Sequence, residues 1–573
     1  MRTMSRTEPA TMTGPETSAG PVPGGGAAHT VADYLFNRLA ELGCTEIFGV
    51  PGDYNLPFLD VVDDHPELRW VGNANELNAS YAADAYARAR GLAAMVTTFG
   101  VGELSAVNGI AGAYAEYAPV LHVVGAPRTE LRRAGLSLHH SLGDGDFDHF
   151  RAMYSHVTCA DAVLTPENAA AEIDRVLRAV LLESRPGYLL LSPDVAAAPI
   201  YRAATPLHRP DRETSPDARE AFRAAAARML DGRTTTILAD LLVHRLGALP
   251  DFDRLLAATE VPYLTSAWGK TLVDESSPRF AGIYAGNASR ERSRAAVEDA
   301  ETLVSIGVRF NDTITAGFSG DIDPARVIEV RPGVAAVGEV MYAPLAMRDA
   351  IGVLMELAQE RPWTPMPLAE PEPEPGAPRD EHGPLLQADL WPAVAASIAE
   401  GQTVLADQGT SFFGLAMQQL PKGVMFLGQP MWGSIGYTLP ATLGAALGRP
   451  DHRALLLIGD GSAQLTVQEL GVLIRERVNP VIVLVNNSGY TVERRIHGAD
   501  RIYNDICPWD WCALPAAMGG DGSTALSMRV TTLAELRDAL DRAAAEPDKL
   551  VLIEAVTGRD DCPPFLEKVA ENL

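Results

Sequence analysis

The pattern of apolar and polar positions along this chain predicts strands that alternate with helices. Between residues 29 and 199, short apolar runs typical of buried strands separate segments whose apolar residues recur at helical spacing. The strands are predicted at 47–50, 68–71, 93–98, 120–124 and 187–191. The helices are predicted at 31–42, 56–62 and 79–90. This alternation predicts an open parallel α/β sheet.

Two further segments show the same alternation. A second α/β domain is predicted over 216–356, with strands at 235–238, 263–265, 302–306 and 326–330. The acidic, proline-rich stretch 361–384 has the composition of an extended, solvated linker. A third α/β domain is predicted over 385–560, and residues 561–573 are either a helix packed over a site or a frayed end. The predicted fold class is therefore α/β, with three open parallel-sheet domains.

Composition narrows the classes of function. The chain has 573 residues, too many for one hydrophobic core, and its net charge of −27 disfavours nucleic acids and anionic membranes as partners. Its five cysteines are scattered without paired metal spacing, which indicates reduced thiols in a cytoplasmic protein. Residues 1–28 lack an apolar core segment, so they are predicted to be a disordered tail and not a signal peptide. No apolar stretch reaches membrane-spanning length.

The stretch 454–490 combines a buried-strand pattern with polar groups at both strand ends. An apolar run at 454–458 leads into Gly459, Asp460 and Gly461, and a second run at 481–485 leads into Asn487. Between the two runs, one helix is predicted over 463–477, with Leu465, Leu470, Leu473 and Ile474 on one side. Ligands of parallel sheets bind at the carboxyl ends of strands, so a site is expected there.

The residue types at these strand ends suit a metal-bound diphosphate. Asp460 offers a carboxylate and Asn487 an amide oxygen, and both are hard ligands of the kind that Mg²⁺ prefers. Gly459, Gly461 and Gly489 would let the backbone approach a ligand closely, and a helix start would direct free N–H groups at an anion. An ordinary tight turn is the alternative for the Gly-Asp-Gly triplet alone, but not for the whole strand–helix–strand unit.

The chain resembles the thiamin-diphosphate-dependent 2-oxo acid decarboxylases from about residue 30 to 565. Seven segments carry the resemblance in the same order, at 49–60, 75–91, 97–116, 138–147, 406–414, 429–441 and 489–498. The resemblance implies that the first domain holds the cofactor's aminopyrimidine ring and the third holds its diphosphate. It further implies a smaller, nucleotide-binding-like middle domain with a structural or regulatory role.

The resemblance also implies the catalytic residues. Glu76 matches the glutamate that bonds the pyrimidine ring, although a lone glutamate there could simply favour a helix N-terminus. Asp53, His139 and His140 match the residues that manage protons, although alone they would be a turn former and solvated histidines. Glu493 matches the glutamate that faces the substrate carboxylate, although alone it would be a residue on a helix surface.

Further residues are implied to bind the cofactor and the metal. Mg²⁺ would be held by Asp460, Asn487 and the carbonyl of Gly489. The Gly433 carbonyl would face the 4′-amino group, and Ile435 would hold the cofactor in a bent shape, although a lone isoleucine is more often an ordinary core residue. The remaining cofactor-binding residues implied are Thr98, Gly459, Gly461 and Ser462.

The resemblance also implies which residues line the substrate pocket. Gln408, Phe412, Val492 and Ile496 would line it. Val492 is smaller than the isoleucine of pyruvate-preferring members, and Phe412 replaces their tryptophan, so both changes enlarge the cavity. A branched-chain, aromatic or indolepyruvate substrate is therefore favoured over pyruvate, with overlapping specificity.

Two alternatives and one assembly expectation complete the sequence-based hypothesis. A thiamin-diphosphate-dependent carboligase would share every cofactor residue, but the paired histidines favour a decarboxylase. A non-catalytic cofactor-binding regulator would have lost Glu76, His140 or Glu493, and all are present. Because the two halves of the cofactor are assigned to different domains, the resemblance implies a homodimer or homotetramer with active sites between chains.

Overall fold

The computed structural model describes residues 29–200, 205–370 and 380–572, and three sheets follow one another along this chain. The predicted tail at 1–28 and residues 371–379 of the predicted linker lie outside the described residues. A two-stranded antiparallel pairing of His29–Thr30 with Pro199–Ile200 joins the two ends of the first domain. Within the ranges that the structure describes, no helix combines the length and the apolar character needed to cross a membrane.

The first sheet has six parallel strands. Their order across the sheet is Arg69–Gly72, Glu46–Gly49, Ala93–Thr98, Val120–Gly125, Gly187–Leu191 and Ala160–Val163. Every residue of the two central strands is buried, because helices cover a parallel sheet on both faces. The helices of this domain are Val31–Glu41, Leu56–Asp64, Glu76–Arg90, Val101–Ala115, Thr129–Arg133, His149–Tyr154, Ala169–Glu183 and Pro193–Ala196.

One helix of this domain begins earlier than the sequence pattern predicted, and the difference concerns the site. The helix predicted over 79–90 spans Glu76–Arg90, because the side chain of Asn75 caps it by accepting the backbone N–H of Asn78 at 2.8 Å. Glu76 therefore lies in the first helical turn, where the helix dipole favours a carboxylate.

The middle sheet has eight strands and is only partly parallel. Its order is Phe280–Ile283, Tyr263–Thr265, Thr234–Ala239, Thr302–Ile306, Val327–Arg331, Val334–Val337 and Val340–Tyr342. The last two strands, which were not predicted, form antiparallel pairs, whereas the four predicted strands pair in parallel. Tight turns at Gly333 (φ +73°) and Gly338 (φ +58°) reverse the chain there. The helices are Pro216–Leu230, Leu242–Arg245, Leu249–Ala258, Glu291–Glu298, Met347–Glu360 and the 3₁₀ turn Pro324–Arg326.

The predicted linker 361–384 is attached to the middle domain near its beginning. Thr364–Pro365 forms a short strand that pairs with Thr234 and Thr235 of the middle sheet, and Trp363 is buried against this domain's core. Burial of the large Trp363 side chain outweighs the composition of the surrounding residues. Most side chains of residues 361–370 are nevertheless exposed, so this part of the stretch is extended and solvated apart from the buried Trp363.

The third sheet has six parallel strands and carries the polar strand ends. Its order is Met425–Leu427, Thr403–Ala406, Ala454–Gly459, Val481–Asn486, Leu550–Val556 and Ala525–Val530. Its helices are Gln387–Ala396, Thr410–Ala416, Thr438–Gly448, Asp460–Thr466, Glu469–Arg475, Thr491–His497, Leu514–Ala517, Leu533–Ala544 and Pro564–Ala570, with 3₁₀ turns at Ile502–Asn504 and Trp511–Ala513. The α/β class predicted from the sequence is confirmed.

The helix predicted over 463–477 is in fact two helices, Asp460–Thr466 and Glu469–Arg475. The break allows Glu469 to reach the first domain, where its carboxylate accepts the side-chain amides of Asn73 (2.7 Å) and Asn78 (2.9 Å). It also turns Leu465 outward, so that this residue is 49% exposed while Leu470 is buried. The expectation of one continuous apolar side was therefore wrong.

The first and third domains pack closely within the chain. Helices Glu76–Arg90 and Thr438–Gly448 cross so tightly that a Cβ at Gly444 would lie 1.8 Å from the Ala82 carbonyl oxygen. A buried ion pair joins Arg88 and Asp84 at 2.6 Å, and Asp84 accepts the hydroxyl of Tyr437 at 2.5 Å. The absence of a side chain at Gly444 therefore allows the two helices to approach this closely.

Candidate active site

The carboxyl ends of two neighbouring strands, Ala454–Gly459 and Val481–Asn486, open onto a cavity of about 310 Å³. We call it the strand-end cavity. The residues predicted from the sequence that line it are Gln408, Gly433, Ile435, Gly459, Asp460, Gly461, Ser462, Asn487, Gly489, Val492, Glu493 and Ile496. Residues far apart in the sequence thus meet at the edge of the sheet where parallel α/β folds bind ligands.

Three oxygen-bearing groups converge on the floor of the strand-end cavity. With its nitrogen facing inward, the Asn487 amide would donate to the Gly489 carbonyl oxygen at 2.8 Å and to Asp460 Oδ1 at 3.2 Å. With its oxygen facing inward, three oxygens would face one another, and a cation between them would be needed to satisfy them. Asp460 and Asn487 are 2% and 3% exposed, so the donor set suits a buried hard cation such as Mg²⁺.

The backbone around these groups is possible only with glycine. A Cβ at Gly461 would lie 2.5 Å from the ring of Tyr490, and Gly489 has a φ of +132°, with the Asn504 carbonyl oxygen 2.1 Å from any added Cβ. Asp460 accepts the backbone N–H groups of Gly461 (2.8 Å) and Gly489 (3.2 Å). Burial nevertheless raises the pKa of Asp460 to about 6, because the charged form has lost most of its water.

Arg494 holds the loop behind Asn487, and sequence reasoning missed it. Its guanidinium is buried and donates to the carbonyl oxygens of Asn487 (3.1 Å) and Ser488 (2.6 Å), and to Asn504 (3.3 Å). A planar fork of donors suits several carbonyls at once. Its position within the segment 489–498 was visible in the sequence, but its inward direction was not.

Apolar side chains also line the strand-end cavity, and we call them its apolar wall. They are Phe413, Met431, Val492, Ile496, Leu566 and Val569. Phe412, predicted to line the cavity, is instead 1% exposed and packs against Phe413 and Phe426 in the core. Successive residues of a helix point about 100° apart, so Phe413 faces the cavity in its place.

The C-terminal segment takes one of the two forms that the sequence left open. Pro564–Ala570 is a helix, and Leu566, Val569 and Ala570 face the strand-end cavity. Phe565 packs against Phe413 with a ring separation of 5.9 Å. This helix therefore covers part of the cavity and is not a frayed end.

Glu116 holds the turn that precedes Gly433, and no local sequence pattern pointed to this role. This fully buried carboxylate accepts the backbone N–H groups of Met431 (2.8 Å) and Trp432 (3.1 Å) and the indole N–H of Trp268 (2.7 Å). It thereby joins all three domains beside Gly433, whose φ is +70°. Only long-range contacts reveal this link.

A second group of predicted residues lies on the first domain. We call Asp53, Tyr54, His139 and His140 the histidine cluster. Asp53 Oδ2 lies 2.7 Å from His139 Nε2, and Asp53 Oδ1 lies 3.8 Å from His140 Nε2. The Tyr54 ring stacks on His139 with a centroid separation of 4.9 Å. One carboxylate thus serves two imidazoles, an arrangement that can hold and pass a proton.

Glu76 lies close to Thr98 on the same domain. The position of a Cβ at Gly102 would be 3.2 Å from both Glu76 Oε1 and Thr98 Cγ2, so a glycine separates the two side chains. Burial raises the pKa of Glu76 above its usual range. Among the residues that the structure describes, the buried Thr98 hydroxyl and the Gln408 amide oxygen lack a hydrogen-bond partner.

The two groups are separate within one chain. Asp53, Glu76, Thr98, His139 and His140 do not belong to the lining of the strand-end cavity. The side chains of Asp53, His139 and His140 are 50%, 59% and 32% exposed. The converging oxygens and the unpaired Gln408 and Thr98 atoms fit a polar ligand with a metal-bound end and a separate hydrogen-bonding end.

Comparison with known proteins assigns the class. The chain matches models of the thiamine pyrophosphate enzyme N-terminal binding domain (29–150), central domain (222–356) and C-terminal binding domain (408–555). An alpha-keto-acid decarboxylase of Mycobacterium ulcerans is 53% identical over 95% of this chain and 96% of its own length. That of Mycolicibacterium paratuberculosis is 54% identical over 94% and 96%.

A third relative, the alpha-keto-acid decarboxylase of Mycobacterium tuberculosis H37Rv, is 53% identical over 95% of this chain and 97% of its own length. The chain belongs to the family of alpha-keto-acid decarboxylases that use thiamine pyrophosphate, also called thiamin diphosphate. The enzyme class predicted from the sequence is therefore confirmed.

Proposed function

We propose that this enzyme converts a 2-oxo acid with a bulky apolar side chain into an aldehyde and CO₂, using thiamin diphosphate and Mg²⁺. The observation that carries the proposal is the strand-end cavity, in which the oxygens of Asp460, Asn487 and Gly489 converge and which also has an apolar wall. A site of this kind can bind a metal-bound diphosphate at one end and an apolar group at the other.

The chain's own residues would bind the cofactor at two ends. Asp460, Asn487 and the Gly489 carbonyl would hold Mg²⁺, while Gly459, Gly461 and Ser462 would let the diphosphate approach the backbone. Gly433 and Ile435 would contact the middle of the cofactor. Thiamin diphosphate would supply the electron sink that decarboxylation requires.

Glu76 and Thr98 would meet the pyrimidine end. The raised pKa of Glu76 supports a role in which its carboxyl group keeps a proton to share with a ring nitrogen. The unpaired Thr98 hydroxyl would gain a partner when the cofactor is bound.

Asp53, His139, His140 and Glu493 would handle protons during the reaction. Asp53 would orient His139 and His140, and these imidazoles would deliver or accept a proton. Glu493 lies in the lining of the strand-end cavity, beside Val492, where it would face the substrate carboxylate. Gln408 lines the same cavity, and its side-chain amide, whose oxygen lacks a hydrogen-bond partner, would hydrogen-bond the substrate.

The substrate preference rests on the apolar wall. Phe413, Val492, Ile496 and Leu566 offer more apolar surface than a methyl group needs, which favours branched-chain, aromatic or indolepyruvate substrates over pyruvate. Each extra methylene contributes only about 1–3 kcal/mol of discrimination, so we expect several acids to be accepted.

We further propose that two chains complete each active site, in a homodimer or homotetramer. The exposed histidine cluster and the half-buried Glu76 support this, because proton-handling groups need a partner surface to exclude water. Each domain would occupy the range expected from the sequence: 29–199, 216–356 and 385–560. A cytoplasmic location is supported by five free cysteines.

The test is a comparison of four acids with purified enzyme, thiamin diphosphate and Mg²⁺. We expect aldehyde from 2-oxoisovalerate, phenylpyruvate or indolepyruvate, with a kcat/KM at least about tenfold above that for pyruvate. Chelation of the metal by EDTA should abolish turnover, and added Mg²⁺ should restore it. Aldehyde formation from pyruvate alone would contradict the preference, and full turnover after metal removal would contradict the metal assignment.

A further inference from the structure

Residues 99–103, which comprise a tight turn at Phe99–Gly100 and the first residues of helix Val101–Ala115, lie directly against the backbone of the histidine cluster, and we call them the Gly100 turn. Gly100 has a φ of +62° and a ψ of −89°, close to the rare γ-turn conformation. A Cβ at Gly100 would lie 1.8 Å from the carbonyl oxygen of His140, whose own φ is +62°. The two backbones are therefore in contact, and a shift of one would displace the other.

The other side of the same turn faces Glu76. A Cβ at Gly102 would lie 3.2 Å from Glu76 Oε1 and 3.3 Å from the Thr97 side chain. The turn thus fills the space between the backbone of His140 and the carboxylate of Glu76. Its position sets the distance between two residues that the proposed function uses at different steps.

Glu103 holds this turn from the inside of the domain. Its carboxylate accepts the backbone N–H of Gly100 at 2.8 Å and the hydroxyl of Tyr188 at 2.8 Å, and it is fully buried. The hydroxyl of Tyr154 donates to the Glu103 backbone carbonyl. Burying the Glu103 carboxylate with only neutral donors around it costs free energy. In return, its hydrogen bond holds Gly100 in a conformation that is strained.

We infer that Glu103 is a positioning residue, which holds the Gly100 turn so that His140 and Glu76 keep their relative geometry. This inference rests on the proposed roles of these two residues. The carboxylate of Glu103 accepts hydrogen bonds from Gly100 and Tyr188, and not from His140 or Glu76. Without its carboxylate the buried Gly100 N–H loses its acceptor, and the turn relaxes toward a less strained conformation that moves the His140 backbone.

The test compares Glu103→Ala, Glu103→Gln and Asp174→Ala in the full-length enzyme loaded with thiamin diphosphate and Mg²⁺. Glutamine keeps an oxygen that can accept the Gly100 N–H, whereas alanine does not. Asp174 is a matched control, because it is a buried carboxylate of the same domain whose partners, Arg38 and Tyr34, lie on another helix. Backbone hydrogen exchange over 138–147, kcat, KM and Tm are measured for each variant.

We expect Glu103→Ala to exchange about tenfold faster over 138–147 and to lose about 10- to 100-fold in kcat, with KM changed by less than about threefold. Glu103→Gln should stay within about threefold of the parent enzyme in all three quantities. Asp174→Ala should lower Tm but leave kcat and the exchange of 138–147 unchanged well below its Tm.

Unchanged exchange over 138–147 in Glu103→Ala would overturn the inference, as would equal damage in Glu103→Gln. The same rise in exchange in Asp174→Ala would also overturn it, because general loss of stability would then explain the effect. If the parent enzyme yields no aldehyde from any acid, the proposed function fails. The exchange measurement would still decide whether Glu103 positions the turn.

Discussion

The strand-end cavity and the histidine cluster differ in how completely one chain builds them. Asp460 and Asn487 are almost fully buried, and backbone amides and a buried arginine surround them. The histidine cluster lies on the surface, with His139 59% exposed. One chain therefore encloses the strand-end cavity but leaves the histidine cluster exposed, and under our proposal a second chain would cover that cluster.

The difference follows from the elements that carry the residues. Asp460 and Asn487 follow adjacent buried strands, whose hydrogen-bonded register fixes their separation. His139 and His140 lie in a loop between helices Thr129–Arg133 and His149–Tyr154, and this loop is held chiefly by the turn at Gly100 and by Tyr54. Rigid strand ends suit a charged anchor, and a loop suits groups that must contact another surface.

The largest expected effect comes from Asp460→Ala. Loss of this carboxylate should abolish binding of thiamin diphosphate with Mg²⁺ and lower kcat/KM by about a thousandfold or more, because the metal loses its charged ligand. Calorimetric titration of cofactor and kinetic assays measure both. Asp521→Ala is the control, since Asp521 is an exposed turn residue of the same domain. Retained cofactor binding in Asp460→Ala would refute the anchor role.

Glu76→Gln should separate binding from turnover. We expect a fall of about 10²- to 10⁴-fold in kcat, the range for loss of an acid–base group, with cofactor affinity within about tenfold of the parent enzyme. The reason is that the diphosphate and metal contacts of the strand-end cavity remain. Undiminished turnover would exclude Glu76 from catalysis, and lost cofactor binding would show that the two halves are not independent.

A mixing experiment tests whether the two halves come from different chains. The Asp460→Ala and Glu76→Gln chains are each expected to be nearly inactive alone. They are co-expressed with different tags and purified as one pool that contains every pairing of the two chains. Random pairing should restore about a quarter of parental activity, because half of the dimers are mixed and one of their two sites carries neither substitution. Activity that stays at the level of the single variants would mean that each site is built within one chain.

A smaller effect is expected for the apolar wall of the strand-end cavity. Val492→Phe should lower kcat/KM for phenylpyruvate or indolepyruvate about 10- to 200-fold, with less effect on pyruvate, because the larger ring occupies the side-chain space. Parallel assays measure the ratio of kcat/KM for phenylpyruvate or indolepyruvate to kcat/KM for pyruvate. Phe412→Leu is the comparison, since Phe412 lies behind the wall and should alter stability more than preference.

The smallest expected effect is a pH-dependent stability that comes from Glu103. Burial raises the pKa of Glu103 to about 7 from 4.5, so the folded protein binds this proton more tightly than the unfolded chain. The resulting stabilisation is fully present below pH 4.5 and is lost as the pH rises through 7.

Melting curves of the parent enzyme and Glu103→Gln between pH 5 and pH 8 measure this contribution. The parent Tm should fall by about 2 °C more than that of the variant over this interval. Parallel Tm profiles would indicate that Glu103 titrates near its usual range and is less dehydrated than its burial suggests.

The sequence alone determined the α/β class and the residue types at the two strand ends of 454–490. A continuous apolar run predicts a strand that is buried on both faces. The strand predicted at 93–98 coincides with the observed one, and the observed strands at 454–458 and 481–485 are each one residue longer than predicted. Gly461 and Gly489 also stand where only glycine fits. These features depend on neighbouring residues, which a local pattern contains.

The tertiary structure alone decided which side chains face the site and what holds them. Glu469 accepts hydrogen bonds from Asn73 and Asn78, almost 400 residues away, and Glu116 reaches Met431 and Trp432 in the same long-range manner. Phe413 replaces Phe412 because helix rotation, and not residue type, aims a side chain. Such contacts arise only when distant segments pack, so no local pattern contains them.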